Sequence, residues 1–265
     1  MFNFFPSRRI AVLARLLALS FTATTTLLAT SAWAADRAPG VKSIVLVHGA
    51  FADGGIWSDV IRLLQARGYH VTAVQNPLTS LTDDVEATRR VLARQKGDVL
   101  LVGHSWAGAV VTEAGNAANV KGIVYLSALA PDSNESVAEL LKKRNAPMEG
   151  LLPDANGLIW LDDPTVFAHV MAGDVSSKRA AVLAATQQPM AAKAFGESIT
   201  HAAWLDKPTW YLVTQGDNAL PTPVQEWIAK HIGAKTATIK SSHMSMISHP
   251  YFVADLIAKA AREAR

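Results

Sequence analysis

Residues 99–108, Val-Leu-Leu-Val-Gly-His-Ser-Trp-Ala-Gly, lead from an apolar run into a serine that small residues flank. The apolar run predicts a buried strand, and the residues from about Trp106 predict a helix. A sharp turn between the two would expose the hydroxyl of Ser105 at the edge of a sheet. A serine hydroxyl becomes a good nucleophile only when the backbone presents it and a base accepts its proton. The stretch therefore predicts a strand, a turn and a helix with a candidate nucleophile at the turn.

The residues around Ser105 are a near match to the usual pattern for such a turn. Gly103 stands two residues before the serine, whereas Ala107 stands two residues after it, where glycine is usual, and Gly108 follows. Glycine–serine pairs are also common in ordinary turns, so a purely structural turn is the alternative. The buried strand before the turn favours the nucleophile.

A second apolar run, at residues 43–49, ends in Gly49 and is followed by Ala50 and Phe51. In hydrolases with a serine turn, a backbone N–H from such a loop pairs with the N–H of the residue after the nucleophile. Together they bind the negative oxygen of a tetrahedral intermediate. The expected donors are Ala50 and Trp106. The alternative is a plain turn at the end of a strand.

A candidate acid lies on a loop between a strand and a helix. Residues 210–214 are strand-like, and the turn that contains Asp217 follows them. Thr222 and Gln225 then predict a helix capping box, with Pro223 at the first helical position. Asp217 therefore lies where a carboxylate that orients a histidine belongs.

A candidate base follows one further strand. Residues 235–240 are strand-like, and His243 lies three residues beyond them. The chain order Ser105, Asp217, His243 is the order expected for a hydrolase whose serine lies on a strand-to-helix turn.

Each assignment has an alternative. Asp217 could only cap its turn, or Asp132 could be the acid, and His249 competes with His243 as the base. His48 and His104 lie inside the two motifs, and we interpret both as supporting turns with side chains directed away from the reacting centre. The remaining histidines show no partner pattern and are expected at the surface or in the core: His70, His169, His201 and His231.

Strand-like runs alternate with helix-like ones along most of the chain. The strands are expected near residues 43–47, 69–74, 98–103, 121–127, 208–214 and 235–240. Asp83 and Asp84 lie in the first turn of one predicted helix, where negative charge is favourable. This alternation predicts an α/β fold with a mainly parallel sheet of about six strands, covered by helices on both faces. The candidate loops would converge at the carboxyl ends of the strands, where such sheets bind ligands.

Residues 133–205 interrupt this alternation with four prolines, several helix-like pieces and no convincing strand. They predict a helical cap inserted between two core portions, residues 35–132 and 206–265. Several large apolar side chains of the cap are candidates either for an apolar pocket or for a small core of the cap itself: Trp160, Phe167, Met171, Met190 and Phe195.

Residues 1–34 differ from the rest of the chain. Arg8 and Arg9 precede an apolar run at residues 10–33 that only Arg15 interrupts, and Ala-Trp-Ala ends the segment. This pattern predicts a signal peptide that is cleaved on export to the periplasm or the medium. An uncleaved membrane anchor is the alternative, although Arg15 leaves a short apolar run for a span. After cleavage we expect no stable membrane association.

Composition narrows the function classes. Half of the residues are hydrophobic and 18% are charged, which is typical of a packed globular protein. The three arginines of residues 1–34 account for the whole net charge of +3, so the basic balance does not indicate nucleic-acid binding. The absence of cysteine excludes disulfides, thiolate catalysis and cysteine-bound metals. No metal-binding spacing is present, and we expect no cofactor.

The motifs resemble those of the α/β-hydrolase superfamily, and more narrowly the branch of plant methylesterases, hydroxynitrile lyases and their bacterial relatives. The resemblance spans residues 43–264. The motifs match closely in the predicted core and only weakly in the predicted cap. It implies a triad of Ser105, Asp217 and His243 with Ala50 and Trp106 as oxyanion donors. It is carried by Val47-His48-Gly49-Ala50, Gly103-His104-Ser105-Trp106, Ala130-Pro131-Asp132, Asp217-Asn218-Ala219-Leu220-Pro221 and His243-Met244-Ser245-Met246.

Two residues bear on the reaction within this branch. The similar hydroxynitrile lyases need a threonine after the first motif histidine and a lysine after the catalytic one, whereas this chain has Gly49 and Met244. The resemblance therefore implies ester hydrolysis rather than cyanohydrin cleavage. The apolar side chains of the predicted cap indicate a small or medium apolar ester as the substrate. A lactonase, amidase or carbon–carbon lyase on the same triad remains an alternative, as does a noncatalytic ligand receptor. The oligomeric state stays open, and a homo-oligomer is compatible with the sequence.

Overall fold

The computed structural model describes residues 40–146 and 150–265, together with Met1. The predicted signal peptide at residues 1–34 therefore lies outside the described residues, apart from Met1. The predicted division into a core, residues 35–132 and 206–265, and a cap, residues 133–205, stays a prediction.

A parallel sheet forms the centre of the described chain. Its strands are β1 (Ser43–Val47), β2 (His70–Val74), β3 (Val99–His104), β4 (Val120–Leu126), β7 (Thr209–Thr214) and β8 (Lys235–Ile239). The strand order is β2-β1-β3-β4-β7-β8, and every neighbouring pair runs parallel. The predicted α/β architecture is confirmed, and each predicted strand boundary lies within one residue of the observed one.

The strands of the sheet interior are buried along nearly their whole length, and the one half-buried residue is Lys121 in β4. Every residue of β1, β3 and β7 is buried, which explains why their sequences read as continuous apolar runs rather than as alternating patterns. The edge strand β8 is exposed or half-buried at all of its residues. His70, at the start of the other edge strand, is exposed.

Helices cover the sheet in two groups. The helices of the described chain are α1 (Ser58–Gln65), α2 (Leu81–Ala93), α3 (Ala107–Ala114), α4 (Val137–Lys143), α5 (Pro164–Met171), α6 (Ser177–Thr186), α7 (Thr222–His231), α8 (Ser245–Ser248) and α9 (Pro250–Glu263). The helix α1 packs against α9, and α2 packs against α3, while both α3 and α9 contact β3 and β4. Among the described residues, none of the helices combines the length and apolarity that a bilayer crossing requires.

The segment of residues 133–205 contains α4, α5 and α6, and α5 packs against α6. The expectation that it holds no strand is wrong, because β5 (Leu158–Ile159) pairs antiparallel with β6 (Met190–Ala191). Such a two-residue ladder is too short to leave a visible alternation in sequence. The capping residues of this segment are readable locally: Ser136 and Glu139 form a reciprocal capping box at α4, and Asp163 accepts from two N–H groups at α5.

Glycine brings the serine turn close to its neighbours. A Cβ on Gly108 would collide with the backbone oxygen of Leu129 and lie 2.7 Å from its nitrogen. A Cβ on Gly103 would lie 2.8 Å from the carbonyl oxygen of Ala107. The strand β3, the helix α3 and the loop after β4 therefore meet at backbone contact distance around the turn.

We expect Gly108→Ala to destabilise the fold although alanine is the better helix former, because the methyl group would displace the backbone of Leu129. The expected loss is about 2 kcal/mol of unfolding free energy, measured by urea denaturation. Gly173→Ala is the matched control, since its nearest neighbour to an added Cβ is an oxygen at 3.9 Å. Equal stability of the two variants would contradict the close packing at Gly108.

Candidate active site

Ser105 lies between β3 and α3 in a left-handed backbone conformation with φ of 54°. This conformation is unfavourable for a residue with a Cβ, so the surrounding structure must impose it. The N–H of Ser105 donates to the carbonyl oxygen of Leu126 at 3.2 Å, and its own carbonyl oxygen accepts from Gly108 and Leu129 at 2.9 and 3.1 Å. These bonds hold the strained turn that leaves the Ser105 side chain only partly buried.

The loop after β1 passes directly beside this serine. A Cβ on Gly49 would lie 2.8 Å from the Cβ of Ser105, so only glycine permits the approach. Ala50 follows, and its N–H and the N–H of Trp106 donate to no backbone or side-chain group of the described residues. Both residues line the cavity that Ser105 also lines. Two free donors beside a serine are the arrangement that an oxyanion hole requires.

The structure brings Asp217 and His243 into direct contact. The imidazole Nδ1 donates to the carboxylate Oδ2 at 2.7 Å, and both side chains are almost completely buried. With Nδ1 as the donor, the Nε2 of His243 is the nitrogen left to accept a proton. His243 lines the same cavity as Ser105.

The alternative residues lie elsewhere. Asp132 is paired with His231 at 2.8 Å at the protein surface, and His249 lies 3.4 Å from Asp174. His201, for which the sequence predicted no partner, is paired with Asp206 at 2.6 Å. Neither alternative therefore takes part in the contact between Asp217 and His243.

Hydrogen bonds keep Asp217 ionised although it is buried. Its Oδ1 accepts from the backbone N–H groups of Ala219 and Leu220, each at 2.8 Å. Burial alone would raise the pKa of Asp217, but the interaction with His243 and these hydrogen bonds lower it below its ordinary value of 3.8. The carboxylate is therefore an acceptor that fixes the tautomer of His243.

The predicted capping box at α7 is wrong, and its glutamine holds Asp217 instead. The residue before α7 makes no side-chain cap, and the hydroxyl of Thr222 donates to the carbonyl oxygen of Thr214 at 2.9 Å. Gln225 is buried, and its Nε2 donates to Oδ2 of Asp217 at 2.9 Å while its Oε1 accepts from the N–H of Thr214 at 3.0 Å. The sequence analysis missed this role because a threonine followed three residues later by a glutamine fits a capping box equally well.

The two motif histidines, His48 and His104, stay neutral, and His104 contacts the loop that carries His243. His48 accepts from the N–H of Asn76 at 2.9 Å and donates to the carbonyl oxygen of Gly49, in agreement with a turn-supporting role. His104 donates from Nε2 to the carbonyl oxygen of His243 at 3.0 Å. Burial lowers the pKa of His48 and of His104, which is why both act as neutral hydrogen-bonding groups. The interpretation of His104 as only supporting its own turn was therefore incomplete.

A buried carboxylate that the sequence analysis assigned to a helix end holds the indole of Trp106. Nε1 of Trp106 donates to Oδ2 of Asp84 at 2.7 Å, and Oδ1 accepts from the N–H of Leu78 at 2.8 Å. Burial raises the pKa of Asp84 to about 6, although these two hydrogen bonds oppose the shift. Asp84 lies on the buried face of α2, four residues before the buried Thr88. That spacing is the sequence signal that could have indicated that Asp84 is buried.

The cavity next to these residues has a volume of about 580 Å³. Its walls are mostly apolar, and they come from the core and from the segment of residues 133–205. Of the large apolar side chains expected to form a pocket, Met171 and Phe195 line this cavity. Phe167 lines a smaller cavity of about 210 Å³ that shares Phe51 as a wall. Trp160 is 46% exposed, and Met190 is fully buried.

Residues that could hold a metal are absent from this part of the chain. Within residues 40–146 and 150–265, no group of three histidine, aspartate or glutamate side chains is arranged to bind an ion. The chemistry that the described site supports is therefore that of a hydroxyl, an imidazole, a carboxylate and two N–H donors.

The pKa of Asp84 predicts how stability depends on pH. Its carboxyl has a pKa of about 6 in the folded protein and an ordinary value of 3.8, so the folded state binds more protons between these values. Ionisation therefore destabilises the fold as the pH rises through this window. From about pH 4 to about pH 7, the wild type should lose about 2 kcal/mol of unfolding free energy relative to Asp84→Asn, measured by urea denaturation.

Asp83→Asn is the matched control for this measurement. Asp83 is exposed, and hydrogen bonds from Ser80 and Thr79 lower its pKa, so its contribution has the opposite sign. A difference between the wild type and Asp84→Asn that does not change with pH would contradict the raised pKa.

Comparison with known proteins shows the family to which the chain belongs. A family model described as the alpha/beta hydrolase family matches residues 44–256. The chain is 29% identical over 246 residues to the alpha/beta hydrolase nvfD of Aspergillus novofumigatus, which covers 84% of this chain and 97% of that protein. It is 26% identical over 250 residues to polyneuridine aldehyde esterase of Rauvolfia serpentina, which covers 82% and 94%.

Solved structures show the same fold. An extracellular alpha/beta-hydrolase from a Paenibacillus species matches with a TM-score of 0.71 at 24% identity, over 83% of this chain and 99% of that chain. The resemblance to plant methylesterases and their bacterial relatives that the motifs predicted is confirmed. The chain belongs to the alpha/beta hydrolase family and is an enzyme of the hydrolase class.

Proposed function

We propose that this protein is a serine esterase that cleaves a small or medium apolar ester through an acyl-enzyme. The nucleophile is Ser105, the base is His243, and Asp217 orients the base. The observation that carries the proposal is the buried 2.7 Å hydrogen bond between Asp217 and His243. It leaves Nε2 of the imidazole as the acceptor beside the cavity that Ser105 lines.

The reaction follows from the roles of these groups. Nε2 of His243 takes the hydroxyl proton as Oγ of Ser105 attacks the ester carbonyl carbon. The N–H groups of Ala50 and Trp106 stabilise the negative oxygen of the tetrahedral intermediate, by about 3 kcal/mol for each donor. The intermediate collapses to the acyl-enzyme, and the alcohol leaves with the proton from His243. Water then repeats the sequence and releases the acid.

The cavity supports an apolar substrate. Its volume of about 580 Å³ is in the range of sites for small molecules. The apolar walls include Leu129, Leu161 and Val170, and the polar groups near the site are few. Met244 follows the base, so no cation stands there to stabilise an anionic leaving group such as cyanide. One of the similar proteins is itself named an esterase.

We further propose export through residues 1–34. Support comes from the charged start, the apolar run and the small residues that end this segment. The Paenibacillus protein with the same fold is described as extracellular.

Ser105→Ala should abolish hydrolysis of a short-chain p-nitrophenyl ester, because the nucleophile is lost while the fold is retained. We expect kcat to fall by about 10⁴-fold or more. Ser177→Ala is the matched control, since Ser177 is exposed on α6 and its hydroxyl makes no hydrogen bond within the described chain. The assay measures release of p-nitrophenol, and circular dichroism checks the fold.

Undiminished turnover in folded Ser105→Ala would refute the proposed mechanism. A panel of esters, lactones and amides completes the test. Turnover of lactones or amides far above that of simple esters would overturn the ester assignment but would leave the role of Ser105 intact.

Export predicts that the mature protein begins at Ala35, because cleavage follows the Ala-Trp-Ala sequence that ends at Ala34. Mass spectrometry of the protein recovered from the periplasm or the medium of an expressing bacterium measures the new N-terminus. A protein that retains Met1 and stays in the cells would contradict the proposed processing.

A further inference from the structure

Both residues that flank His243 are bonded to one short piece of the segment 133–205. On the N-terminal side, the N–H and the hydroxyl of Ser242 donate to Oδ2 and Oδ1 of Asp174, at 3.1 and 2.5 Å. On the C-terminal side, the N–H of Met244 donates to the carbonyl oxygen of Met171 at 3.1 Å. Residues 171–174 therefore accept three hydrogen bonds from the two residues that flank the proposed base.

The core holds the same loop from the other side. The carbonyl oxygen of His243 accepts from Nε2 of His104 at 3.0 Å and from the hydroxyl of Ser127 at 3.4 Å. His104 precedes Ser105 in the chain, so its hydrogen bond to His243 links the turn that carries Ser105 to the loop that carries His243. The position of the imidazole thus depends on one set of contacts from the core and another from residues 171–174.

Asp174 is suited to this role as an ionised carboxylate. Burial alone would raise its pKa, but the hydrogen bonds from Ser242 and from Ser241 and Ser248 lower it. His249 faces the same carboxylate at 3.4 Å. Both oxygens accept from Ser242, and an asparagine can offer only one oxygen acceptor to these two donors.

We propose that Asp174 is a positioning residue, which acts through Ser242 to set the place of the His243 imidazole relative to Ser105. This proposal rests on the proposed function of His243 as the base. Asp174 contacts neither the substrate cavity nor the reacting atoms, so its effect appears in the chemical step rather than in substrate binding.

The test is a double-mutant cycle with Asp174→Asn, Ser242→Ala and the double variant. Each single substitution should lower kcat for a p-nitrophenyl ester by about tenfold with KM within about twofold of wild type. Because both residues act through one contact, the double variant should lose no more than either single variant. Asp162→Asn is the matched control, since Asp162 is an exposed carboxylate of the same segment without a side-chain hydrogen bond in the described chain.

An NMR measurement separates this proposal from the proposed function. The imidazole resonances of His243, assigned with His243→Ala, should shift in Asp174→Asn and stay unchanged in Asp162→Asn. Absence of ester turnover by the wild type would refute the esterase, and the resonances would still report on Asp174. Wild-type kcat and unshifted resonances in Asp174→Asn would overturn the proposal, as would losses that multiply in the double variant.

Discussion

The buried hydrogen bond between Asp217 and His243 is the interaction on which the site depends. It joins the loops after β7 and β8, which are neighbours in the sheet. A buried carboxylate is costly unless its oxygens are satisfied. Asp217 meets this condition with donors from its own loop, from Thr214 and Gln225, and from the imidazole itself. This bond uses Nδ1 of the imidazole, and His243 lines the same cavity as Ser105.

The parallel sheet explains why residues far apart in sequence meet here. Ala50 follows β1 and Ser105 follows β3, and these two strands are also neighbours. Because the carboxyl ends of parallel strands lie at one edge, the loops that carry Ala50, Ser105, Asp217 and His243 converge there. Glycine at residue 49 and the left-handed turn at Ser105 then permit backbone contact within that edge. The fold thereby provides the approximate place of each group, and local backbone geometry provides the fine spacing.

The sequence predicts the parts of the molecule that depend on local pattern. Buried strands such as β3 are visible as apolar runs. The contact between Asp217 and His243 agrees with the prediction that each lies on a loop after a strand. The sequence does not predict contacts between distant side chains. The pairing of Trp106 with Asp84 and of Ser242 with Asp174 depends on tertiary packing. Gln225 was misread for a related reason, since its spacing from Thr222 fits a local cap while its side chain turns inward to Asp217.

The most direct test of the central claim is the rate at which a fluorophosphonate labels Ser105, with the adduct located by peptide mass spectrometry. The account predicts one adduct per chain at Ser105. It also predicts a labelling rate that falls by orders of magnitude in Asp217→Asn, because the buried hydrogen bond can no longer hold the imidazole in the productive tautomer. An adduct at another residue, or an unchanged rate at Ser105 in that variant, would contradict it.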